Sequence, residues 1–277
     1  SRAMRTKALA GEFLGAFLLQ FLGGACTVNA GRLMLNDPVV NALGNGTVYT
    51  VLIFCFAMIS GGHLNPSISI GFWACNLPMF DTGMFLAYLL AQFTGSVLGA
   101  GMLWVALPPH LQGVAFGDGS FTTIGDMFRP FDPMPVFIGE FVCTFALVCT
   151  FITVVHSYND KTDKCNYLNV GPLVVGICFM SCICGFGSFT GCSLNPARTL
   201  VPTLYYGMGP FIWGYVHQFL GVMFGAYFAG KFYMLTYFAP ARRFPHPSNR
   251  ILLTACMMAV VAGCVIGFYK TDYRYAA

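Results

Sequence analysis

The 14 basic and 10 acidic residues of this 277-residue chain gather in short clusters, and between the clusters run uncharged stretches about as long as a bilayer is thick. Lipid cannot pair a backbone N–H or C=O, so stretches of this length and composition must be helices that close their own hydrogen bonds. Charged residues are 9% of the chain, where a soluble globular protein carries about 25%. That shortage argues against a water-soluble enzyme. The net charge of +4 is small and scattered, which argues against a nucleic-acid partner. The lipid bilayer is the expected surrounding.

Spans are expected at residues 8–28, 47–60, 83–107, 135–155, 170–186, 208–238 and 251–268. The first has no small-residue cleavage site followed by a polar mature sequence, so it reads as a span and not as a signal peptide. Seven crossings put the two ends on opposite sides. Arg2, Arg5, Lys7, Lys161, Lys164, Lys231, Arg242, Arg243 and Arg250 fall on the N-terminal side, and Arg32, Arg129, Lys270 and Arg274 on the other. The positive-inside bias then makes the N-terminus cytosolic. Most of the 12 cysteines lie inside apolar runs and read as small packing residues. The five histidines fall in separate segments, so no Cys/His cluster of zinc spacing forms, and neither a metal nor a cofactor is expected.

Residues 63–75 and 192–206 are apolar but too short to span, and each contains an Asn-Pro that would break a continuous helix. Proline suits the first turn of a helix, so Asn65-Pro66 and Asn195-Pro196 each mark a helix start. Half-helices of roughly ten residues, about 15 Å, follow. Non-helical backbone at membrane depth must line a water-filled cavity or be buried in protein, which implies a polar path through the molecule. The chain also repeats itself. Gly11-Glu12-Phe13 recurs as Gly139-Glu140-Phe141, Gly61-Gly62-His63-Leu64-Asn65-Pro66 as Gly191-Cys192-Ser193-Leu194-Asn195-Pro196, and Gln92-Phe93-Thr94-Gly95 as Gln218-Phe219-Leu220-Gly221. A unit of three spans has an odd number of crossings, so the second copy is inserted upside down and the half-helices meet at the midplane from opposite faces. That geometry belongs to channels and transporters.

Ser60-Gly61-Gly62-His63-Leu64-Asn65-Pro66-Ser67 and Thr190-Gly191-Cys192-Ser193-Leu194-Asn195-Pro196-Ala197-Arg198 resemble the paired signature of the aquaporin, or major intrinsic protein, family, over roughly residues 8–238. The resemblance implies an all-α membrane protein built as an inverted repeat of three spans plus a re-entrant half-helix each, with one pore per subunit and a homotetrameric assembly. On this basis residues 1–245 form the channel domain, with repeats at about 8–107 and 135–238. Residues 246–277 add a seventh C-terminal transmembrane helix and a short tail, beyond the family's pattern. Ser67 departs as well, standing where the family usually has alanine.

Asn65 and Asn195 are expected as helix N-caps whose side-chain amides can donate to a passing oxygen, with both helix dipoles turning their positive ends to the pore centre. Pro66 and Ser67, and Pro196 and Ala197, complete the two motifs. Carbonyls of Gly61, Gly62, His63 and Leu64, and of Gly191, Cys192, Ser193 and Leu194, are expected to form a ladder of acceptors for water. Arg198 is costly at membrane depth and therefore functional, a constriction donor that repels cations. The resemblance implies that Glu12 and Glu140 accept hydrogen bonds from re-entrant backbone and neighbours on the arginine side, as scaffold and not as proton carriers. Through ungapped spacing it also places the rest of the selectivity filter at Asn45, Ile183 and Cys192. This trio fits neither subclass. Orthodox water channels typically have an aromatic and a histidine at the first two places, and glycerol channels have aromatics at the first and third and an Asp after the Arg, where this chain has Thr199.

Several residues carry competing readings. Asn45-Gly46-Thr47 is an N-glycosylation sequon beside the second span, so Asn45 is a filter residue, a glycan acceptor or an inert loop residue. His63 is satisfied by loop hydrogen bonds or is a cytosolic-side pH sensor. Cys192 presents its thiol to water beside Arg198 or is buried by a loop. Ala255, Ala259, Gly263 and Gly267 put small residues four apart on the seventh segment, a close-packing face for the sixth span, a neighbouring subunit or an added membrane partner. The whole reads as a passive, non-enzymatic channel for water and small uncharged solutes such as glycerol, urea, hydrogen peroxide and ammonia, excluding protons and ions. The alternative is a structural, junctional or complex-associated membrane protein that keeps the fold and conducts poorly. A seven-helix receptor would have no reason for paired Asn-Pro half-helices.

Overall fold

The computed structural model describes residues 2–32, 38–76, 80–113, 133–159, 170–206 and 212–238. Among them the regular structure is all helical: α1 (Arg2–Arg32), α2 (Pro38–Ser60), α3 (Pro66–Ala74), α4 (Thr82–Ala106), α5 (Pro109–Gly113), α6 (Pro133–Asn159), α7 (Gly171–Thr190), α8 (Pro196–Tyr206) and α9 (Ile212–Tyr233). A π-helical turn, Met234–Phe238, follows α9. Proline opens α2, α3, α5, α6 and α8, because its ring presets a helical φ and its missing N–H is not needed in a first turn. Asp81 caps α4, its side chain accepting from Met84 N at 2.7 Å. Arg5 pairs with Asp81 at 3.4 Å, which brings the start of α4 to the N-terminal end of α1.

Among the described residues five helices are long and apolar enough to cross a membrane, at Ala3–Ala30, Val39–Ser60, Thr82–Ala106, Met134–Val155 and Val216–Thr236. The chain is therefore an integral, multi-pass membrane protein. The strongly apolar part of α7, Gly171–Gly187, is shorter. Its full 20 residues nevertheless reach about 30 Å at 1.5 Å per residue. The second span differs most from expectation: α2 starts at Pro38, nine residues before the expected 47. Asn41, Gly44, Asn45 and Gly46 dilute its hydropathy, but Asn45 and Gly46 are buried inside the protein, where lipid never meets them. The seventh segment at 251–268, with its small-residue face, lies outside the described residues.

The described residues up to Thr236 belong to one compact unit, and Tyr237 and Phe238 to a second. In the first unit α1 packs along α4, α2 along α7, and α6 along α9, while α1 and α2 also touch. The short helices sit between these pairs. α3 packs against α4, α6 and α9, and α8 against α4 and α9, so each is wedged between the two halves of the chain. Close approach makes the α3–α9 contact possible: a Cβ on Gly230 would lie 2.2 Å from the Gly71 carbonyl oxygen, and Cys75 Sγ reaches Gly230 O at 3.2 Å. On the other side Ala197 and Val201 of α8 close a core with Ala100 and Leu103 of α4. Tyr205 locks that contact by donating to Val97 O at 2.8 Å. Outward, Leu86, Leu90, Leu98, Met102 and Val105 form an exposed stripe along α4, a surface suited to lipid.

Candidate functional site

Asn65 is the N-cap of α3, extended at φ −144° and ψ 122°, and its Oδ1 accepts from Ser67 N at 2.8 Å. Asn195 holds α8 in the same way, its Oδ1 accepting from Ala197 N at 2.9 Å and Arg198 N at 3.4 Å. The two caps meet: Asn65 Nδ2 donates to the Leu194 carbonyl at 3.0 Å. Two helix N-termini thus converge, each carrying roughly half a positive charge. The pair is unequal, because Asn65 has committed an amide hydrogen to Leu194, whereas among the described residues the hydrogen bonds of Asn195 run through Oδ1 or backbone atoms. The Ser67 hydroxyl, at the departure from the motif, is buried with no hydrogen-bond partner among the described residues.

The connections before the caps are held in left-handed backbone, at Gly61 (φ 87°), Gly62 (φ 64°) and Leu64 (φ 54°), and again at Gly191 (φ 76°), Cys192 (φ 46°) and Leu194 (φ 49°). For Leu and Cys this conformation costs roughly 1–2 kcal/mol each, so something must hold it. Thr190 Oγ1 accepts from Cys192 N at 3.0 Å, and two buried carboxylates hold Leu64 and Leu194. Glu12 Oε1 accepts from Ser60 Oγ (2.6 Å) and His63 N (3.0 Å), and Oε2 from Leu64 N (2.6 Å) and Gln92 Nε2 (2.7 Å). Glu140 Oε1 accepts from Ser193 N (2.9 Å) and Gln218 Nε2 (3.0 Å), and Oε2 from Leu194 N (3.1 Å). Of the carbonyls expected in the acceptor ladder, two already accept inside the protein, His63 O from Tyr49 Oη at 3.0 Å and Leu194 O from Asn65. The His63 ring lies against Phe72, Phe80, Tyr88 and Phe151, with Nδ1 3.0 Å from Ser69 Oγ.

Arg198, in the first turn of α8, reaches across to α1 and α2. Its Nη1 donates to Asn45 Oδ1 at 2.5 Å and its Nη2 to Thr27 Oγ1 at 3.4 Å. Asn45 is fully buried within α2, a setting that does not suit a glycan acceptor and is not a loop. Cys192 falls within electrostatic reach of Arg198, but its thiol packs against Cys143 and the residue is 2% exposed, so it is not open to water as the spacing suggests. Ile183, on α7, is also 2% exposed.

The sequence model of the family described as major intrinsic protein matches residues 1–233. The chain belongs to that family. Mouse aquaporin-4 is 30% identical over 231 residues, covering 82% of this chain and 66% of the relative, so the chain spans just under two thirds of that protein's length. The glycerol uptake facilitator protein of Streptococcus pneumoniae is 31% identical over 215 residues, covering 73% of this chain and 84% of the relative. The X-ray structure of the aquaglyceroporin from Plasmodium falciparum shares the fold, with a TM-score of 0.67 at 24% identity, over 85% of this chain and 98% of that one.

Several residues of the site in this major intrinsic protein carry weaker sequence signals. Gln92 and Gln218 recur in the internal repeat, a signal for their matching bonds to Glu12 and Glu140. Thr27 and Asn41 carry no motif. With α2 begun at Pro38, however, Asn41 and Asn45 stand four residues apart on one helix face. The caps suggest a direct test. Asn195→Asp keeps the Oδ1 acceptor for Ala197 N and puts a carboxylate where two helix dipoles converge. Weakened exclusion of protons or cations is expected in a vesicle leak assay, and unchanged selectivity in a folded variant would contradict the role assigned to Asn195.

Proposed function

We propose that this chain forms a passive channel for water and small uncharged solutes, excludes protons and ions, and catalyses no reaction. The observation that carries the reading is the meeting of the two Asn-capped half-helices, Asn65 Nδ2 on Leu194 O at 3.0 Å, with Arg198 three residues beyond the second cap. Permeating water would pass the two amides and lose its neighbour-to-neighbour proton path at the positive helix ends. Asn45, Ile183, Cys192 and Arg198 are read as the selectivity filter, the re-entrant backbone at Gly61–Leu64 and Gly191–Leu194 as the carbonyl lining, and Glu12 and Glu140 as scaffold. The relatives named an aquaporin and a glycerol uptake facilitator support this class. We further read the molecule as an inverted repeat, homotetrameric, with a cytosolic N-terminus, and with residues 246–277 as a separate helical addition.

The filter itself favours a second reading. Asn45 is 0% exposed and Ile183 and Cys192 are each 2% exposed, so three of its four side chains show almost no surface to a lumen. A narrow constriction of this kind fits a poorly conducting structural or junctional protein. Osmotic swelling of vesicles decides between the two. Vesicles holding the protein are expected to shrink several-fold faster than empty ones after an osmotic step. Equal rates would defeat the channel reading and favour the structural one.

A further inference from the structure

Arg198 carries a full charge into a half-buried position, and the polar groups that receive it come from spanning helices outside both Asn-Pro motifs. Asn45 Nδ2 donates to Asn41 Oδ1 at 2.8 Å and to Asn41 O at 3.0 Å, with Thr27 Oγ1 a more distant acceptor at 3.4 Å, so it meets more acceptors than it has hydrogens. Its Oδ1 is then the end left to face Arg198, and it accepts from Nη1 at 2.5 Å. Turned over, the amide would set its NH2 against the guanidinium, donor against donor. The Thr27 hydroxyl lies 3.0 Å from Asn41 Oδ1 and 3.1 Å from Gly23 O, which share its one hydrogen, and Thr27 Oγ1 also receives Arg198 Nη2 at 3.4 Å. The hydroxyl has one hydrogen and two lone pairs, so donating to Asn41 leaves it able to accept from the arginine.

We propose that Thr27 and Asn41 are positioning residues for Arg198, acting through Asn45 to hold the guanidinium against the α1–α2 side of the constriction. The proposal rests on the reading of Arg198 and Asn45 as filter residues. Two further observations support it. Space for the pair is provided at Gly23, where a Cβ would lie 2.7 Å from Asn45 Oδ1 and 3.1 Å from Arg198 Nη1. Among the described residues, the groups that accept the hydrogen bonds of Arg198 are also neutral oxygens, from an amide and a hydroxyl. An acidic partner would hold the side chain as firmly and cancel its field, whereas this relay fixes the position and leaves the charge intact. Released from the relay, the long side chain would be free to swing across the lumen and obstruct it without losing its charge.

The test compares water permeability per channel in vesicles, with the reconstituted amount measured for each variant. Thr27→Val keeps the branched shape and removes the hydroxyl. It is expected to lower water permeability per channel about three- to tenfold, the range expected for one lost hydrogen bond in a positioning chain, while proton leak stays at the parent's level. Thr27→Ser restores the flux. Asn41→Ala is expected to act in the same direction, and the double variant to be no worse than the stronger single one, because both act through Asn45. A merely structural role would lower the yield of folded protein and leave flux per channel unchanged. If Thr27→Val does not reach the membrane, Asn41→Ala decides by the same measure. A conducting parent with unchanged or raised flux in these variants overturns the relay alone. A parent no faster than empty vesicles overturns the channel reading and the relay with it.

Discussion

Replacing Arg198 with valine is expected to open the protein to cations or protons while leaving it folded. The guanidinium is a half-buried charge received by neutral oxygens of Asn45 and Thr27. At an effective dielectric of about 20, a unit charge met at about 4 Å repels a cation by about 4 kcal/mol, so its loss corresponds to as much as about a thousandfold in passage. The converging ends of α3 and α8 keep a residual barrier, which makes that figure an upper bound. Packing gives no reason for collapse, since α8 is held to α4 by Ala197, Val201 and Tyr205. Vesicles loaded with a pH-sensitive dye and challenged with a proton gradient would read the leak. A variant as proton-tight as the parent would show that Arg198 is not the excluding charge.

Loss of Glu12 should act on folding itself. Glu12→Leu leaves Ser60 Oγ, His63 N, Leu64 N and Gln92 Nε2 without their common acceptor. Ser60 Oγ keeps Phe56 O and Gln92 Nε2 keeps Ser69 Oγ as acceptors, so His63 N and Leu64 N are the donors left unmatched, at about 1–3 kcal/mol each, a large share of the stability of a typical domain, about 5–15 kcal/mol. The left-handed Leu64 would also lose the bond that holds it. Little or no monodisperse protein is expected after detergent extraction. Glu12→Gln should be milder, because one oxygen still accepts while the new NH2 faces donors. A Glu12→Leu protein with the yield and thermal midpoint of the parent would rule out this load on the carboxylate.

Features that depend on a few adjacent residues were legible from the chain alone. Pro66 and Pro196 mark helix starts because a proline at the first turn and an asparagine before it satisfy the local backbone by themselves. The extent of α2 was hidden. Asn41, Gly44, Asn45 and Gly46 look like a loop when hydropathy is averaged along the chain, and only their tertiary surroundings explain a helix there. The Arg198–Asn45 bond links residues 153 apart in sequence, and its further partner Thr27 belongs to no repeat. Cys192 illustrates the opposite error: spacing alone suggests a thiol open to water, but a side chain's direction depends on backbone twist, here φ 46°, and on Cys143 beside it.

The wedging of α3 between the two halves bears on how the molecule is made. Gly71 of α3 rests on Gly230 of α9, so the re-entrant segment lacks a principal support until the last described spanning helix has been synthesised. At a translation rate of about 5–20 residues per second, the roughly 160 residues between them take on the order of ten to thirty seconds to appear. Through that interval the polar backbone around Leu64 must be sheltered by Glu12 and Gln92, which emerge early, or by the insertion machinery. Assembly of the unit described is therefore a late event, closed by α9 and not by helices added one at a time.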